Sequence, residues 1–245
     1  MNDLKENLHA VNTRVETACA DAGRNPAEIS VLAVSKKHPV ERILALHRLG
    51  QRAFGENRIQ EALPKIEALA RQDIEWHFIG PLQSNKTREA AAVFDWVQSV
   101  DREKILRRLA KQRPGGLPPL NVLIQVNIDR EPQKSGVPPE QARALAESAA
   151  SLDGIRLRGL MAIPRAPAAD QVPADSFRRM RELFRSLRER GLEIDTLSMG
   201  MSADLESAIM HGSTMVRIGT DLLGPRPSEA PASDEPTNRG TQSEC

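Results

Sequence analysis

The stretch "VLAVSKKHPV" (residues 31–40) consists of an apolar run, two adjacent lysines and a proline. Short apolar runs without polar alternation are typical of parallel strands that are covered on both faces. Proline suits the first turn of a helix, because the N–H that it lacks has no partner inside the helix there. The stretch therefore predicts a strand followed by a helix, with Lys36 and Lys37 at the end of the strand.

The rest of the chain repeats this unit. Eight candidate strands begin near residues 29, 52, 74, 95, 120, 155, 195 and 214, and helical patterns separate most of them. Leu4, Leu8, Val11 and Val15 recur at helical spacing before the first strand and predict an extra N-terminal helix. Eight such units in 245 residues predict an α/β fold, a (β/α)8 barrel of the TIM type. A doubly wound open sheet is the alternative.

The composition narrows the class of protein. Lys and Arg total 34 and Asp and Glu 33, so the net charge is close to zero. Such a balance does not indicate nucleic acid or an acidic membrane as a partner. Charges throughout residues 1–22 argue against a signal peptide or a membrane span. Cys19 and Cys245 match no disulfide or metal-ligand spacing. These features predict a cytoplasmic protein without a metal site. Because no long apolar surface helix is left over, the protein is also predicted to be a monomer.

The sequence also predicts one boundary, between a barrel and a tail. Residues 1–226 are predicted to form one barrel, and residues 227–245 a disordered tail. From Pro225 to Cys245 the chain has four prolines and no Val, Ile, Leu, Met, Phe or Trp. Such a segment buries too little apolar surface to offset the entropy lost on ordering.

The ends of the last two strands carry a candidate phosphate site. Barrels of this type gather reactive groups at the carboxyl ends of their strands, and often bind phosphate after strands 7 and 8. Ser202 follows the seventh strand and is predicted to cap the next helix. Gly219 and Thr220 follow the eighth strand. Gly219 lets a ligand approach the backbone closely, and Thr220 adds a hydroxyl. The alternative is that these residues only cap a helix and make a turn.

Strand alternation places Lys36 on the inward face with Leu32 and Val34, and turns Lys37 outward. Partial burial beside a second cation raises the neutral fraction of an amine and makes it nucleophilic towards a carbonyl. Arg217 is the candidate second cation. A reactive lysine facing a phosphate cradle predicts an aldehyde or ketone that carries a phosphate, either pyridoxal phosphate or a sugar phosphate.

Seven motifs, in order along residues 2–226, resemble those of the pyridoxal-phosphate homeostasis proteins, single-domain relatives of the alanine racemase barrel. The motifs are "VLAVSKKHPV" (31–40), "FGENRIQEALPKI" (54–66), "WHFIGPLQSNK" (76–86), "VNIDREPQKSG" (126–136), "RGLMAIP" (158–164), "LSMGMSADLESAI" (197–209) and "VRIGTDLLGPR" (216–226). The resemblance implies a (β/α)8 fold and pyridoxal 5'-phosphate as cofactor, held as a Schiff base on Lys36.

The resemblance also implies roles for other residues. Ser202 and the Gly219–Thr220 backbone would bind the phosphate, and Arg217 would face the pyridine nitrogen. Asn57 and Met199 would line the cofactor. Proteins of this family are regarded as carriers or regulators of vitamin B6 that affect amino-acid metabolism, with no established turnover. The implied partners are therefore the cofactor itself and apo-enzymes that receive it.

An enzyme is the competing hypothesis, either an amino-acid racemase or a Schiff-base aldolase. Arg217 can only donate to the pyridine nitrogen, so the ring would stay unprotonated and be a weaker electron sink. Alanine racemases share that arrangement but use a tyrosine as the second base, and this chain contains no tyrosine. His77 is the candidate substitute, although a buried core histidine is the favoured interpretation. Lys134 is predicted to be a solvated loop charge, with ligand contact as the alternative.

Overall fold

The computed structural model describes residues 2–165 and 174–225 and contains a closed barrel of eight parallel strands. The strands are β1 (Ser30–Val34), β2 (Ala53–Glu56), β3 (Glu75–Phe78), β4 (Trp96–Val100), β5 (Leu120–Val126), β6 (Ile155–Ala162), β7 (Thr196–Met201) and β8 (Met215–Ile218). Each begins within two residues of its predicted start. The predicted tail, residues 227–245, lies outside the described residues.

Nine α-helices belong to the same described ranges. They are α1 (Asn2–Asp21), α2 (Val40–Arg48), α3 (Ile59–Ala68), α4 (Thr87–Val93), α5 (Glu103–Gln112), α6 (Pro139–Ala150), α7 (Ala174–Glu189), α8 (Leu205–Met210) and α9 (Thr220–Leu223). The predicted extra helix is α1, which packs against α8 and α9. None of these helices is long and apolar enough to cross a membrane.

Closure of the sheet confirms the barrel over the open sheet. The first and last strands pair in parallel, with Ser30 opposite Met215 and Ala33 opposite Ile218. The apolar runs of the sequence supply the layer between strands and helices. Ala33, Phe54 and Val216, for example, are fully buried in one hydrophobic cluster with the helices.

The inside of the barrel is more polar than the fold requires. Branched aliphatic side chains usually fill a barrel of this type. Here Trp96, Leu123 and Met161 form a small separate apolar cluster. Several strands also bury polar side chains, among them His77, Gln98, Ser198 and Arg217. Buried polar groups need hydrogen-bond partners, and these four residues bond to one another in a chain.

Candidate cofactor site

Strand register brings the predicted site residues to one rim of the barrel. Val34 of β1 lies opposite Gly55 of β2, so Lys36 and Asn57, each two residues further on, leave neighbouring strands at the same level. Arg217 of β8 lies opposite Leu32 of β1 on one side and Met201 of β7 on the other. The residues that follow β7, β8, β1 and β2 therefore form a continuous arc.

Lys36 lies in a tight turn rather than in the strand itself. The strand β1 ends at Val34, and the His38 backbone N–H donates to the Ser35 carbonyl across 3.0 Å. Lys36 is half-buried, whereas Lys37 is exposed and has a left-handed φ of 64°. Non-glycine residues adopt that conformation only when their surroundings impose it. The turn, and not strand alternation alone, directs the two lysines differently.

A buried ion pair lies directly behind this turn. Lys65 of α3 donates to Glu56 Oε1 across 2.7 Å and to the Ser35 carbonyl across 3.0 Å. The Ser35 hydroxyl donates to the same carboxylate oxygen across 2.6 Å. Burial raises the pKa of Glu56, while the hydrogen bond and charge of Lys65 oppose that rise. The pair fixes the carbonyl of the residue that precedes Lys36.

Arg217 is a buried cation that bonds to neutral acceptors. Its Nη1 donates to Ser198 Oγ across 2.7 Å and its Nη2 to the Ala162 carbonyl across 2.8 Å. Burial lowers its pKa to about 10, and the charge of Asp204 acts in the opposite direction. The guanidinium thus keeps its proton at neutral pH. Since it has five N–H groups, it retains donors for a ligand atom.

The prediction that Ser202 caps α8 is wrong. Asp204 is the residue before the first turn of that helix, and its Oδ1 accepts the Met201 backbone N–H at 2.6 Å. Ser202 lies within the turn that precedes the helix, and its carbonyl accepts a hydrogen bond from Arg14. The Asp204 side chain makes no capping hydrogen bond to the helix, and its carboxylate instead closes this turn onto Met201. The Ser202 hydroxyl is half-buried and has no capping role.

The remaining predicted residues occupy different environments. Gly219 precedes the single turn of α9, and a Cβ added to it would meet only Val34, at 3.8 Å. Thr220 is exposed, and Asn57, which follows β2, is half-buried. Met199, by contrast, is fully buried within the hydrophobic core cluster. Its side chain packs in the core, so only its main chain is left to line a cofactor. That Met199 lines the cofactor stays a prediction.

His77 and Lys134 are both held by protein atoms. His77 is fully buried, with Nε2 at 2.8 Å from Glu75 and Nδ1 at 2.9 Å from Gln98. It is a core histidine, and neither ring nitrogen is available as a second base. Lys134 pairs with Glu131 across 2.6 Å and donates to the Pro164 carbonyl across 2.8 Å. It ties two loops together, and its side chain remains 28% exposed.

Comparison with known proteins identifies the family. Residues 7–227 match the family model described as alanine racemase, N-terminal domain. A curated relative from Pseudomonas aeruginosa, named pyridoxal phosphate homeostasis protein, is 53% identical over 95% of this chain and 100% of its own length. An Escherichia coli relative of that name is 50% identical over 92% of this chain and 98% of its own. The chain belongs to the pyridoxal phosphate homeostasis protein family.

Solved structures agree with this membership. The structure of PipY from Synechococcus elongatus with pyridoxal phosphate bound superposes with a TM-score of 0.74 at 35% identity. The match covers 86% of this chain and 100% of PipY. The barrel and the resemblance in the motifs are therefore confirmed together.

The rim residues fit the group that the family name implies. Pyridoxal phosphate presents an aldehyde, a ring nitrogen that accepts a hydrogen bond and a phosphate dianion. The rim offers an amine at Lys36, a buried donor at Arg217, a hydroxyl at Ser202 after β7 and the open backbone of Gly219 after β8. A carboxylate beside the ring nitrogen would indicate a protonated ring. At this position the structure has Arg217 instead, and among the described residues its hydrogen-bond partners are a hydroxyl and a carbonyl.

Sequence reasoning missed the residues that support the rim. Nothing assigned a role to Lys65, Gln98 or Ser198, because single polar residues in helices and strands resemble solvated positions. One signal was present: Gln98 and Ser198 interrupt the apolar runs "WVQSV" and "TLSMGM". A polar residue inside a fully buried parallel strand indicates a hydrogen-bonded interior.

Gly80, after β3, should tolerate no side chain, because a Cβ added there would lie 2.1 Å from the Asn57 carbonyl oxygen. We expect Gly80→Ala to lower the free energy of unfolding by about 2–4 kcal/mol, since backbone must move on both strands. Gly115→Ala is the control, because nothing lies within 4 Å of its added Cβ. Urea unfolding of both variants measures the difference, and equal stabilities would contradict the close approach at Asn57.

Proposed function

We propose that this protein binds pyridoxal 5'-phosphate at the rim and carries or buffers it, so that it maintains vitamin B6 and amino-acid homeostasis. The observation that carries the proposal is the buried Arg217, bonded to neutral acceptors and flanked by the strand ends that bear Lys36 and Ser202. The names of the relatives and the pyridoxal phosphate bound in PipY support the choice of ligand.

Each rim residue has a proposed role. Lys36 attacks the aldehyde carbon through its neutral amine, a C–N double bond forms, and the aldehyde oxygen leaves as water. Arg217 donates a hydrogen bond to the ring nitrogen. Ser202, Thr220 and the backbone at Gly219 receive the phosphate, while Asn57 and the main chain of Met199 line the ring.

A carrier accounts for the site better than a racemase. Arg217 supplies a proton donor that does not transfer its proton, so the ring nitrogen stays neutral and the ring is a weaker electron sink. Racemisation also needs a second base, and the sequence has no tyrosine, while both nitrogens of His77 are engaged. Incubation with single-enantiomer amino acids in deuterated water should show essentially no exchange at Cα. Exchange at enzymatic rates would establish the racemase instead.

The proposed setting is a cytoplasmic monomer that supplies apo-enzymes. Light scattering during size-exclusion chromatography should give one chain of about the sequence mass, 27.0 kDa. Loaded protein mixed with an apo-enzyme that requires pyridoxal phosphate should restore that enzyme's activity faster than spontaneous release allows. A dimer, or restoration at the spontaneous rate, would remove the corresponding part of the proposal.

Ser202→Ala should separate phosphate binding from linkage to Lys36. Loss of a hydrogen bond to a charged group should weaken pyridoxal phosphate by about ten- to a hundredfold. Unphosphorylated pyridoxal makes no use of that bond, so its affinity should barely change. Because Asp204 closes the turn before α8, the melting temperature should stay nearly constant.

Asp204→Ala is the matched variant on the same turn. It should lower the free energy of unfolding by about 0.5–2 kcal/mol, because it removes the acceptor of the Met201 N–H. Titration of both variants with both aldehydes makes the comparison. If Ser202→Ala weakens the two aldehydes equally, the phosphate does not bind after β7.

A further inference from the structure

A chain of hydrogen bonds crosses the inside of the barrel below the rim. It begins at Arg217 on β8, whose Nη1 donates to Ser198 Oγ on β7 across 2.7 Å. Ser198 donates in turn to Gln98 Oε1 on β4 across 2.8 Å. Because β4 and β7 are not neighbours in the sheet, this second bond spans the lumen. All three side chains are buried.

The chain continues to the opposite mouth of the barrel. Gln98 Nε2 lies 2.9 Å from Nδ1 of His77 on β3. The other ring nitrogen of His77, Nε2, lies 2.8 Å from Glu75 Oε1, at the first residue of the same strand. Glu75 is 46% exposed, so the chain links the buried guanidinium to a carboxylate in contact with solvent.

The two ends of this chain and the amide orientation of Gln98 together fix the direction of every bond. A guanidinium can only donate, so Ser198 accepts from Arg217 and has its own proton left for Gln98 Oε1. The amide nitrogen of Gln98 then faces His77, whose Nδ1 must accept. A carboxylate can only accept, so Nε2 of His77 carries the proton. All donors then point from Arg217 towards Glu75.

Packing around His77 restricts the ring to this arrangement. The Trp96 ring stacks on it, with centroids 5.0 Å apart and an interplanar angle of 12°. Arg158 lies over Trp96 at 4.5 Å and pairs with Asp195 across 2.8 Å. Gln98 Nε2 has a second contact, the Met215 sulfur at 3.1 Å. Sulfur is a weak acceptor and not a donor, which also favours the amide nitrogen on this side.

We propose that Ser198, Gln98 and His77 are positioning residues that hold Arg217 against the ring nitrogen of the bound cofactor, through a hydrogen-bond chain that ends at Glu75. This inference rests on the proposed function for its ligand. Aligned donors in a poorly solvated interior polarise one another, so each bond of the chain strengthens the next. These bonds fix the guanidinium in one orientation. The N–H groups that do not bond to Ser198 or to the Ala162 carbonyl are directed away from the chain.

The first test needs no cofactor. Protein labelled with ¹⁵N-histidine, at pH 7.5, should show in a long-range ¹H–¹⁵N spectrum one histidine that is neutral and carries its proton on Nε2. The signals missing from His77→Asn identify it among the five histidines. A proton on Nδ1, or on both nitrogens, would reverse the bond at Gln98 and overturn the chain.

The second test compares two ligands. One is pyridoxal phosphate, and the other is its analogue in which CH replaces the ring nitrogen. The intact protein should prefer pyridoxal phosphate by about ten- to a hundredfold, as expected for a hydrogen bond from a charged donor. In Ser198→Ala and Gln98→Leu this preference should fall to about threefold or less, because Arg217 is no longer held.

Leu123→Val is the matched control, since it removes one methylene from the apolar cluster inside the barrel and the Leu123 side chain forms none of the hydrogen bonds of the chain. It should keep the preference of the intact protein. If the Ser198 and Gln98 variants weaken both ligands by the same factor, the residues have only a structural role and the proposal is wrong. An intact protein that shows no preference would also overturn it. An intact protein that binds neither ligand would refute the proposed function, and the histidine spectrum would still decide on the chain.

Discussion

Lys36→Ala should abolish the visible absorbance that the protein shows when loaded with pyridoxal phosphate. The covalent link would be lost with both pyridoxal phosphate and pyridoxal, because the other amine of this turn, that of Lys37, is exposed and directed differently. We expect the affinity for pyridoxal phosphate to fall by at least about a hundredfold, equivalent to about 2.8 kcal/mol. Residual binding of the phosphorylated aldehyde should persist through the groups after β7 and β8.

Lys37→Ala is the control for this experiment, because the adjacent lysine is exposed while Lys36 is half-buried. It should retain both absorbance and affinity. Borohydride reduction of the loaded protein, followed by peptide mapping, should place the pyridoxyl group on Lys36. Modification mainly at Lys37 or Lys134 would show that the turn after β1 does not direct Lys36 towards the ligand.

Lys65→Met should lower the free energy of unfolding by about 3–5 kcal/mol at pH 7.5, the range found when one partner of a buried ion pair is removed. The Glu56 carboxylate would lose its 2.7 Å contact while its side chain stays fully buried. Lys104→Met, on the exposed face of α5, should change stability by no more than about 0.5 kcal/mol. Chemical unfolding of the two variants makes the comparison.

The loss in Lys65→Met should shrink as the pH falls. Burial already raises the pKa of Glu56, and without the opposing bond and charge of Lys65 that pKa rises further. A carboxyl group whose pKa is raised in the folded state favours folding below its unfolded pKa of about 4.3, and that contribution is lost as the pH rises through the folded pKa. The variant should therefore approach the intact protein towards pH 5.

Glu56→Leu/Lys65→Met tests the cause of that loss. Replacing both charges by apolar groups removes the uncompensated carboxylate, so the double variant should recover most of the stability lost in Lys65→Met. The Ser35 carbonyl would still lose its donor, and we expect weaker binding of pyridoxal phosphate, because the residue before Lys36 is no longer fixed. A double variant as unstable as the single one would mean that packing, and not charge, dominates here.

The sequence by itself determined the eight parallel strands and most of the rim, while closure of the sheet into a barrel was decided by the pairing of β1 with β8. Apolar runs repeated eight times can be buried only in a parallel sheet covered by helices, and each run began within two residues of an observed strand. Because parallel strands end on one side of a barrel, listing the residues after the runs was enough to group Lys36, Asn57, Ser202 and Gly219. Local chemistry and strand direction were sufficient for these positions.

Only the tertiary structure decided which group caps α8 and what supports the rim. Ser202 and Asp204 both suit a cap, and the choice depended on the turn that Asp204 closes with Met201. The partners Lys65 and Glu56 are nine residues apart on a helix and a strand, and Ser198 and Gln98 are separated by 100. Such contacts depend on strand register and on crossing the lumen, which no local pattern encodes. A buried polar residue reveals its role only when the partner that satisfies it is known.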